Sequence, residues 1–232
     1  MTQIPPIKKV LVGLLYFNKS LPAFERSLAR NIDFLGKTEL IDTLSLKETH
    51  GLAVDMARNV IVDYAVTTGY DAIIWMDTDM IFPDDAMAKL ISMSNAGHPI
   101  AAGVYRRGIG NRRLLTEIEW MVECELDELQ AIKHGGVCHV AMSGGGYSIV
   151  RPHVYMAILR HFQGNVPWYN NYDWLTGNKQ CGEDRFFMLR AKDVGVTPVV
   201  DPDLHAIHWP PGTSPVPVLD SDPMLDMVRD YL

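Results

Sequence analysis

The sequence predicts an α/β protein with a mostly parallel central sheet that is flanked by helices. Short apolar runs alternate with segments of helical spacing through the first half of the chain, which is the pattern of strand–helix–strand units. The apolar runs are near-continuous, so both faces of their sheet are expected to be buried. The 232 residues, 47% of them hydrophobic, suit one large domain of this class.

The first half of the chain contains the predicted strands and helices in alternation. Strands are expected over residues 8–17, 39–46, 72–76 and 99–105, and helices over about 20–36, 51–69 and 84–97. Pro22 fits the first turn of the first helix, where its missing N–H would be unpaired in any case. Gly69 is placed to end the second helix, because glycine readily adopts the left-handed conformation.

The second half of the chain is less regular. Residues 106–150 contain short strand-like pieces and turn glycines, which predict a small antiparallel portion. A helix with Pro152 in its first turn follows, and another helix is expected over about 183–195. Residues 197–209 are expected to form a last strand and loop. The proline-rich tail, residues 210–232, is predicted to be a covering strap or a mobile segment.

Charge and cysteine content narrow the classes of partner and compartment. The 21 basic residues against 28 acidic residues give a net charge of −7, so no nucleic-acid partner is expected. Cys124, Cys138 and Cys181 form no CxxC motif, which favours a reducing compartment. The N-terminal apolar run is too short for a transmembrane segment, and no signal-type cleavage region follows it. The cytoplasm is therefore the predicted location.

The stretch AIIWMDTDMIFPDD, residues 72–85, places two carboxylates at the end of an otherwise apolar strand. Residues i and i+2 of a strand face the same side, so Asp77 and Asp79 are expected roughly 7 Å apart. They lie beyond the carboxyl end of the strand, where parallel sheets bind ligands. A hard divalent cation would relieve the repulsion and desolvation of the two charges. The alternative is that both aspartates cap the following turn.

Two further segments are candidates for a site with these aspartates. Arg58 lies on the helix that leads into the strand, with His50 at the start of that helix, and an arginine there would contact diphosphate oxygens. Alternatively, Arg58 is a solvated helix residue. The segment SGGGYSIV, residues 143–150, permits close approach of the backbone to a ligand, or it forms a flexible hairpin.

Carboxylates and histidines late in the chain are candidate catalytic and metal-binding residues. Glu183 and Asp184 open a helix whose apolar residues are expected to hold its first turn rigidly, as a general base requires. The helix dipole alone also explains acidic residues at that position. His205 and His208 follow the last strand, and one imidazole would complete a metal site, although most histidines are not ligands.

The motifs, in their order along the chain, resemble those of the GT-A fold glycosyltransferases, especially the family 2-like branch of bacteria and phages. The resemblance rests on DTD after an apolar strand, SGGG, GEDRFFMLRAKDVG and VVDPDLHAIH, and it spans residues 8–209. It implies a GT-A (Rossmann-like) fold and a glycosyltransferase of the hexosyltransferase type. Such an enzyme transfers a sugar from a nucleotide-diphosphate sugar, most often a UDP- or GDP-sugar, to a glycan or other hydroxyl acceptor, with Mn²⁺ or Mg²⁺ as cofactor.

The resemblance also implies roles for individual residues. Asp77, Asp79 and His208 would form the metal site, with Asp77 touching the ribose or the metal shell. Asp184 is the better candidate for the general base of an inverting enzyme, with Glu183 as the other candidate. The implied donor-binding residues are Leu15, Tyr16 and Phe17 at the nucleobase, Arg58 at the diphosphate, Asp77 and Gly145.

The resemblance implies two halves within a single domain, residues 1–232. Residues 1–105 would form the nucleotide-sugar half, and residues 106–209 would form the acceptor and catalytic half. The first strand departs from the family pattern, because LLYFN stands where a proline-containing P-x-Y/F ending is common. The resemblance therefore does not identify the nucleobase of the donor. It does not decide the reaction stereochemistry either, because the Glu-Asp pair occurs in inverting and retaining enzymes.

Other interpretations of the same motifs remain. A metal-dependent nucleotidyltransferase would also use carboxylates, but its expected glycine- and lysine-rich loop is missing from YFNKSLPAF. A catalytically inactive nucleotide-sugar-binding module is a third possibility. The aromatic residues of one loop would stack on a sugar acceptor or form a small core of their own. These residues are Trp168, Tyr169, Tyr172 and Trp174.

Overall fold

The computed structural model describes residues 5–16, 20–106, 113–119, 122–164, 167–171, 182–210, 213–218 and 224. The strands are β1 (Lys9–Tyr16), β2 (Thr43–His50), β3 (Ala72–Asp77), β4 (Met80–Ile81), β5 (Ile100–Val104), β6 (Thr116–Glu119), β7 (Val122–Glu123), β8 (Cys138–His139), β9 (Met142–Ser143), β10 (Tyr147–Val150), β11 (Val199–His205) and β12 (Ile207–His208). The helices are α1 (Pro22–Gly36), α2 (Val54–Thr68), α3 (Ala86–Asn95), α4 (Leu126–Ala131), α5 (Pro152–His161) and α6 (Glu183–Asp193).

Seven strands form the central sheet in the order β2-β1-β3-β10-β5-β11-β8. Five of them point in one direction, because β1 is parallel to β2 and β3, β11 is parallel to β5, and β10 is antiparallel to both β3 and β5. Two small antiparallel sheets, β12-β4 and β7-β6-β9, complete the fold. The predicted mostly parallel α/β architecture is confirmed.

Both faces of the central sheet are buried, as the apolar runs predict. Alternate residues of β3 enter the two main cores. Ile74 and Met76 pack in the core of α1 and α3, whereas Ile73 and Trp75 pack in the core of α2, α5 and α6. Burying an aliphatic side chain of this size contributes about 1.5–3 kcal/mol. The helices therefore hold β3 firmly up to its last residue, Asp77.

The helix ends follow local sequence signals. α1 and α5 begin at Pro22 and Pro152, as predicted. α2 ends at Gly69, whose φ of 74° lies in the left-handed region. Among the described residues, no helix has the combination of length and apolar character that is needed to cross a membrane.

The structure differs from the predicted secondary structure at one strand and one helix. The second strand runs over Thr43–His50 and not over residues 39–46, and it pairs with β1 along its whole length. It lies at the sheet edge, where polar residues such as those of its second half are tolerated, so that half of the strand has no continuous apolar run. The prediction also lacks helix α4, which begins with a capping box formed by Glu125 and Glu128.

The described part of the C-terminal tail covers the body of the protein. Val216 forms an isolated antiparallel bridge with His208, and Val218 is buried in the core around Val200. Of the two predictions for the tail, the covering strap is therefore correct for residues 213–218. The rest of the tail lies outside the described residues, apart from 210 and 224.

Candidate active site

The two aspartates lie at the carboxyl end of β3, but only one of them belongs to the strand. β3 ends at Asp77, and Thr78 and Asp79 form a turn into β4. The expectation that both side chains share one face of a strand is therefore wrong. The Thr78 hydroxyl donates to the carbonyl oxygen of Leu15 at 2.9 Å, and the Trp209 amide donates to the Asp79 carbonyl oxygen at 2.7 Å. These bonds fix the turn against its neighbours.

His208 is brought to Asp79 by the pairing of β12 with β4. His208 lies opposite Met80 in this ladder, and its Nε2 atom is 3.4 Å from Asp79 Oδ2. Its Nδ1 atom lies 3.1 Å from the carbonyl oxygen of Arg106, a position that suits a donating N–H. Burial acts to lower the pKa of His208, but the hydrogen bond and charge of Asp79 outweigh this effect and raise that pKa.

Arg58 is buried in the centre of the site. Its side chain is 1% exposed, so the interpretation as a solvated helix residue is wrong. Its Nη2 atom lies 3.1 Å from Asp77 Oδ1, and its Nε atom lies 3.5 Å from Glu183 Oε1. The guanidinium also lies 5.0 Å from the centre of the Trp75 ring. Burial acts to lower the pKa of Arg58, but the charges of Asp77 and Glu183 raise it on balance, so the group stays charged.

Two carboxyl groups share this one buried cation. Burial raises the pKa of Asp77, and the attraction of Arg58 offsets this only in part. The same balance raises the pKa of Glu183. Asp79 and Asp184 add further negative charge near Asp77. The site therefore has an excess of negative charge, which favours binding of an additional cation.

The glycine-rich segment lies directly against these side chains. A Cβ atom on Gly146 would be 2.1 Å from Asp77 Oδ2, and one on Gly145 would be 3.2 Å from both Arg58 Nη2 and Asp184 Cβ. The Asp77 amide donates to the Gly146 carbonyl oxygen at 2.9 Å. The glycines thus allow close approach of the backbone to the site's own side chains. Contact of Gly145 with a ligand stays a prediction.

Glu183 and Asp184 open α6, as predicted, and they have different surroundings. Glu183 faces Arg58, whereas the Asp184 Oδ1 atom accepts a hydrogen bond from the Arg185 amide at 2.7 Å. The buried face of α6, with Phe187, holds this first turn against the core. Of the two candidates, Glu183 is the one that is paired with the buried arginine.

The predicted base-binding residues lie at the same edge of the sheet. Leu15 pairs with Asp77 in the ladder between β1 and β3. Tyr16 stacks on His50, with ring centroids 4.9 Å apart and planes inclined by 14°. Phe17 lies outside the described residues. The sequence alone predicts only that His50 precedes the helix of Arg58. Its stacking on Tyr16 follows from the register of β1 and β2, in which the two residues are paired.

The first aromatic residues of the loop form a small core. Tyr169 is 2% exposed and stacks on Phe187 at a centroid distance of 4.8 Å. The Trp168 Nε1 atom donates to the Tyr155 carbonyl oxygen at 2.9 Å. For these two residues the small-core interpretation is correct. Tyr172 and Trp174 lie outside the described residues.

The three residues predicted to bind a metal do not form one cluster in the structure. In the part of the chain that the structure describes, no three His, Cys, Asp or Glu side chains are grouped closely enough to hold a metal ion. Asp77 faces Arg58, whereas Asp79 and His208 face each other. Their oxygen and nitrogen donors suit Mn²⁺, and two protein ligands leave positions for phosphate oxygens and water. The donor atoms of Asp79 and His208 thus have the chemistry that a divalent cation requires, and their role as metal ligands stays a prediction.

The arrangement of strands, helices and small antiparallel sheets defines a GT-A-like fold. A197 from STIV matches with a TM-score of 0.57 and 15% identity over 91% of this chain and 95% of that chain. GalNAc-T7, crystallised with UDP, GalNAc and Mn²⁺, matches with a TM-score of 0.55 and 11% identity over 90% of this chain. This chain spans 45% of the GalNAc-T7 chain. No protein-family model and no curated protein sequence match. At these identities the likeness concerns the fold.

Proposed function

We propose that the chain is a metal-dependent glycosyltransferase that moves a sugar from a nucleotide-diphosphate sugar to a hydroxyl acceptor. One observation carries the proposal: the Asp79–His208 pair lies beside the Arg58-bound Asp77, next to Asp184, at the carboxyl end of β3. Ligands of such sheets bind at this edge. The GT-A-like fold, shared with a GalNAc-T7 structure that contains UDP, GalNAc and Mn²⁺, supports the same class of donor.

Asp79 and His208 would hold Mn²⁺ or Mg²⁺, which when bound supplies positive charge beside the diphosphate leaving group. Asp77 is proposed to orient the donor at the ribose or at the shell of the metal. The carboxylate of Asp77 is held by Arg58, so its position is set before the donor arrives. UDP- and GDP-sugars are the proposed donors.

Arg58 is proposed to act by holding carboxylates. Its side chain is 1% exposed and is already paired with Asp77 and Glu183. The contact of Arg58 with the diphosphate stays a prediction, and the burial of its side chain favours the positioning role. Leu15 and Tyr16, at the end of β1, are proposed to line the site of the nucleobase.

Asp184 is proposed to accept the proton of the acceptor hydroxyl in an inverting reaction. Glu183 faces Arg58, so its carboxylate is engaged, whereas Asp184 lies over Gly145 in the first turn of α6. In a retaining reaction, Asp184 would instead orient the acceptor. The anomeric configuration of the product, measured by NMR, decides between these two roles. The free, buried thiols of Cys124 and Cys138 support a reducing compartment, and we place the reaction in the cytoplasm.

Calorimetric titration tests the proposal. UDP-, GDP-, CDP- and dTDP-sugars would be titrated into the wild-type protein and into Asp79→Ala, first with Mn²⁺ and then with EDTA. We expect one class of donor to bind only with Mn²⁺, and we expect this binding to be lost in Asp79→Ala. Asp84→Ala is the matched control, because Asp84 is an exposed carboxylate in the same stretch of sequence and pairs with Arg30.

Three outcomes would contradict the proposal in different ways. Donor binding that is equal with Mn²⁺ and with EDTA would remove the metal from the mechanism. Pyrophosphate release from a nucleoside triphosphate and a sugar phosphate would establish a nucleotidyltransferase. Tight donor binding without hydrolysis, and without transfer to a panel of hydroxyl acceptors, would establish a binding module.

A further inference from the structure

Asp184 stands between two residues that each form an ion pair with a buried partner. Glu183 pairs with Arg58, which is 1% exposed, and Arg185 pairs with Glu117, which is 0% exposed. The two partners come from different parts of the fold, α2 and β6. Three consecutive residues at the start of α6 are therefore fixed from two directions.

Glu117 belongs to the small sheet that leads into the glycine-rich segment. β6 pairs with β9, with Glu117 opposite Met142. The Ala141 amide donates to the Glu117 carbonyl oxygen at 2.8 Å, and the Gly144 amide donates to the Leu115 carbonyl oxygen at 2.6 Å. Glu117 is thus joined by its backbone to β9, the strand that ends at Ser143, directly before the glycine-rich segment.

Arg185 joins the start of α6 to this small sheet. Its Nη2 atom donates to Glu117 Oε1, and its backbone amide donates to Asp184 Oδ1 at 2.7 Å. The same residue therefore binds the buried glutamate with its side chain and the Asp184 carboxylate with its backbone. Gly145, which follows the small sheet, lies against Asp184 Cβ.

We propose that Glu117 and Arg185 are positioning residues that fix the Asp184 carboxylate relative to the glycine-rich segment and to Asp77. This inference rests on the proposed function, because it assigns Asp184 as the group that acts on the acceptor. Neither Glu117 nor Arg185 is proposed to touch the donor sugar.

The chemistry of the pair favours this role over a purely stabilising one. A buried ion pair loses the hydration of both charges, and apolar residues of similar volume stabilise a fold equally well or better. A planar guanidinium, however, binds a carboxylate in a defined geometry, which a pair of apolar side chains does not impose. The ion pair therefore supplies orientation at a point of the fold where orientation affects the reaction.

The test compares donor binding with turnover in Glu117→Gln and Arg185→Lys. Both variants keep the approximate size of the side chain but alter the ion pair. We expect kcat for sugar transfer to fall about 100-fold, as for a misplacement of about 1 Å at the reacting groups. We expect the Kd of the donor, measured by calorimetry with Mn²⁺, to stay within about twofold of the wild-type value. The residues proposed to hold donor and metal, Asp77, Asp79 and His208, belong to β3, the turn after it and β12, and not to the strand and helix of this pair.

Two further variants separate positioning from general stability. Glu117→Asp keeps the charge, and we expect its kcat to be at least about tenfold higher than that of Glu117→Gln. Asp193→Asn removes an exposed carboxylate of the same helix that pairs with the half-buried Arg190, and we expect its kcat to equal that of the wild type. If Glu117→Gln does not fold, as judged by circular dichroism, Arg185→Lys alone decides.

The outcomes distinguish this inference from the proposed function. A wild-type protein that neither binds nor turns over any donor overturns the proposed function, and this inference with it. An active wild type combined with unchanged kcat in folded Glu117→Gln and Arg185→Lys overturns this inference alone. A parallel loss of donor affinity and kcat in both variants also overturns it, because the pair would then support the site as a whole.

Discussion

Gly146 and Asp77 are in direct contact: a Cβ atom on Gly146 would lie 2.1 Å from Asp77 Oδ2. Gly146→Ala therefore cannot be accommodated unless Asp77 or the backbone moves. We expect donor binding to be lost, and we expect a decrease of about 1–3 kcal/mol in the free energy of unfolding from overpacking. Calorimetry measures the first effect, and urea denaturation measures the second.

Gly36→Ala is the matched control for this substitution. Gly36 ends α1, and a Cβ atom there would meet no atom within 4 Å. Alanine reduces the freedom of the unfolded chain, so stability should be unchanged or higher by up to about 1 kcal/mol. Equal donor affinity in Gly146→Ala and Gly36→Ala would show that the close contact with Asp77 does not matter for binding.

Arg58→Met tests the buried cation. The substitution leaves Asp77 and Glu183 without their shared partner, and we expect a loss of about 3–5 kcal/mol in the free energy of unfolding. Arg30→Met is the control, because Arg30 forms an exposed pair with Asp84 at 3.7 Å, and its loss should cost less than about 1 kcal/mol. A similar cost for both variants would contradict the central role of Arg58.

The destabilisation by Arg58→Met should also depend on pH. Burial already raises the pKa of Asp77 and of Glu183 in the folded protein, and loss of the cation raises both pKa values further. The folded variant then binds more protons than its unfolded chain, so its stability falls as pH rises. Urea denaturation at pH 5 and pH 8 should show the larger loss, relative to the wild type, at pH 8.

His208→Gln tests the proposed metal ligand. Loss of the imidazole should weaken Mn²⁺-dependent donor binding by at least about tenfold, since Asp79 would remain as the single protein ligand of the proposed pair. His205→Gln is the control. His205 lies on the neighbouring strand β11, where its Nε2 atom is 2.7 Å from the Pro202 carbonyl oxygen. If His205→Gln had the larger effect on Mn²⁺-dependent binding, the assignment of His208 would be wrong.

Thiol reactivity tests the packing around the small sheet. Burial raises the pKa of the Cys124 thiol to about 12, and its Sγ atom donates to the Thr116 carbonyl oxygen at 3.2 Å. Since the thiolate is the reactive form, alkylation of Cys124 at pH 8 should be about a thousandfold slower than in the unfolded chain. Peptide mapping after iodoacetamide treatment, with and without urea, measures this ratio. Comparable rates would show that this part of the core is open.

The sequence predicts those parts of the fold in which the buried residues form a continuous or regularly spaced apolar pattern. β3 is apolar on both faces because it lies inside the sheet, and the boundaries of α1, α2 and α5 follow from proline and glycine positions. β2 is misplaced because an edge strand exposes polar residues. α4 is missed because its one buried residue, Leu129, gives no helical period.

The site is less accessible to sequence reasoning, because its contacts join distant parts of the chain. The carboxylates at Asp77 and Asp79 stand out, since they interrupt an apolar run. The burial of Arg58 is not evident from the sequence, because an arginine on a helix is usually solvated. Glu117 gives no local signal either, as its role depends on a pairing with Arg185 that the register of β6 and β9 creates. The sequence motifs thus identify the charged residues of the site, whereas the order of the strands determines which residues they pair with.

The antiparallel strand β10 has a consequence for how the chain folds. It lies between β3 and β5, which both precede it in the sequence. During synthesis, these two strands leave the ribosome before the strand that joins them. Until residues 147–150 follow, each presents an apolar edge with unpaired backbone groups. A fragment that ends near residue 105 should therefore aggregate, and chaperone binding should be concentrated in this interval of translation.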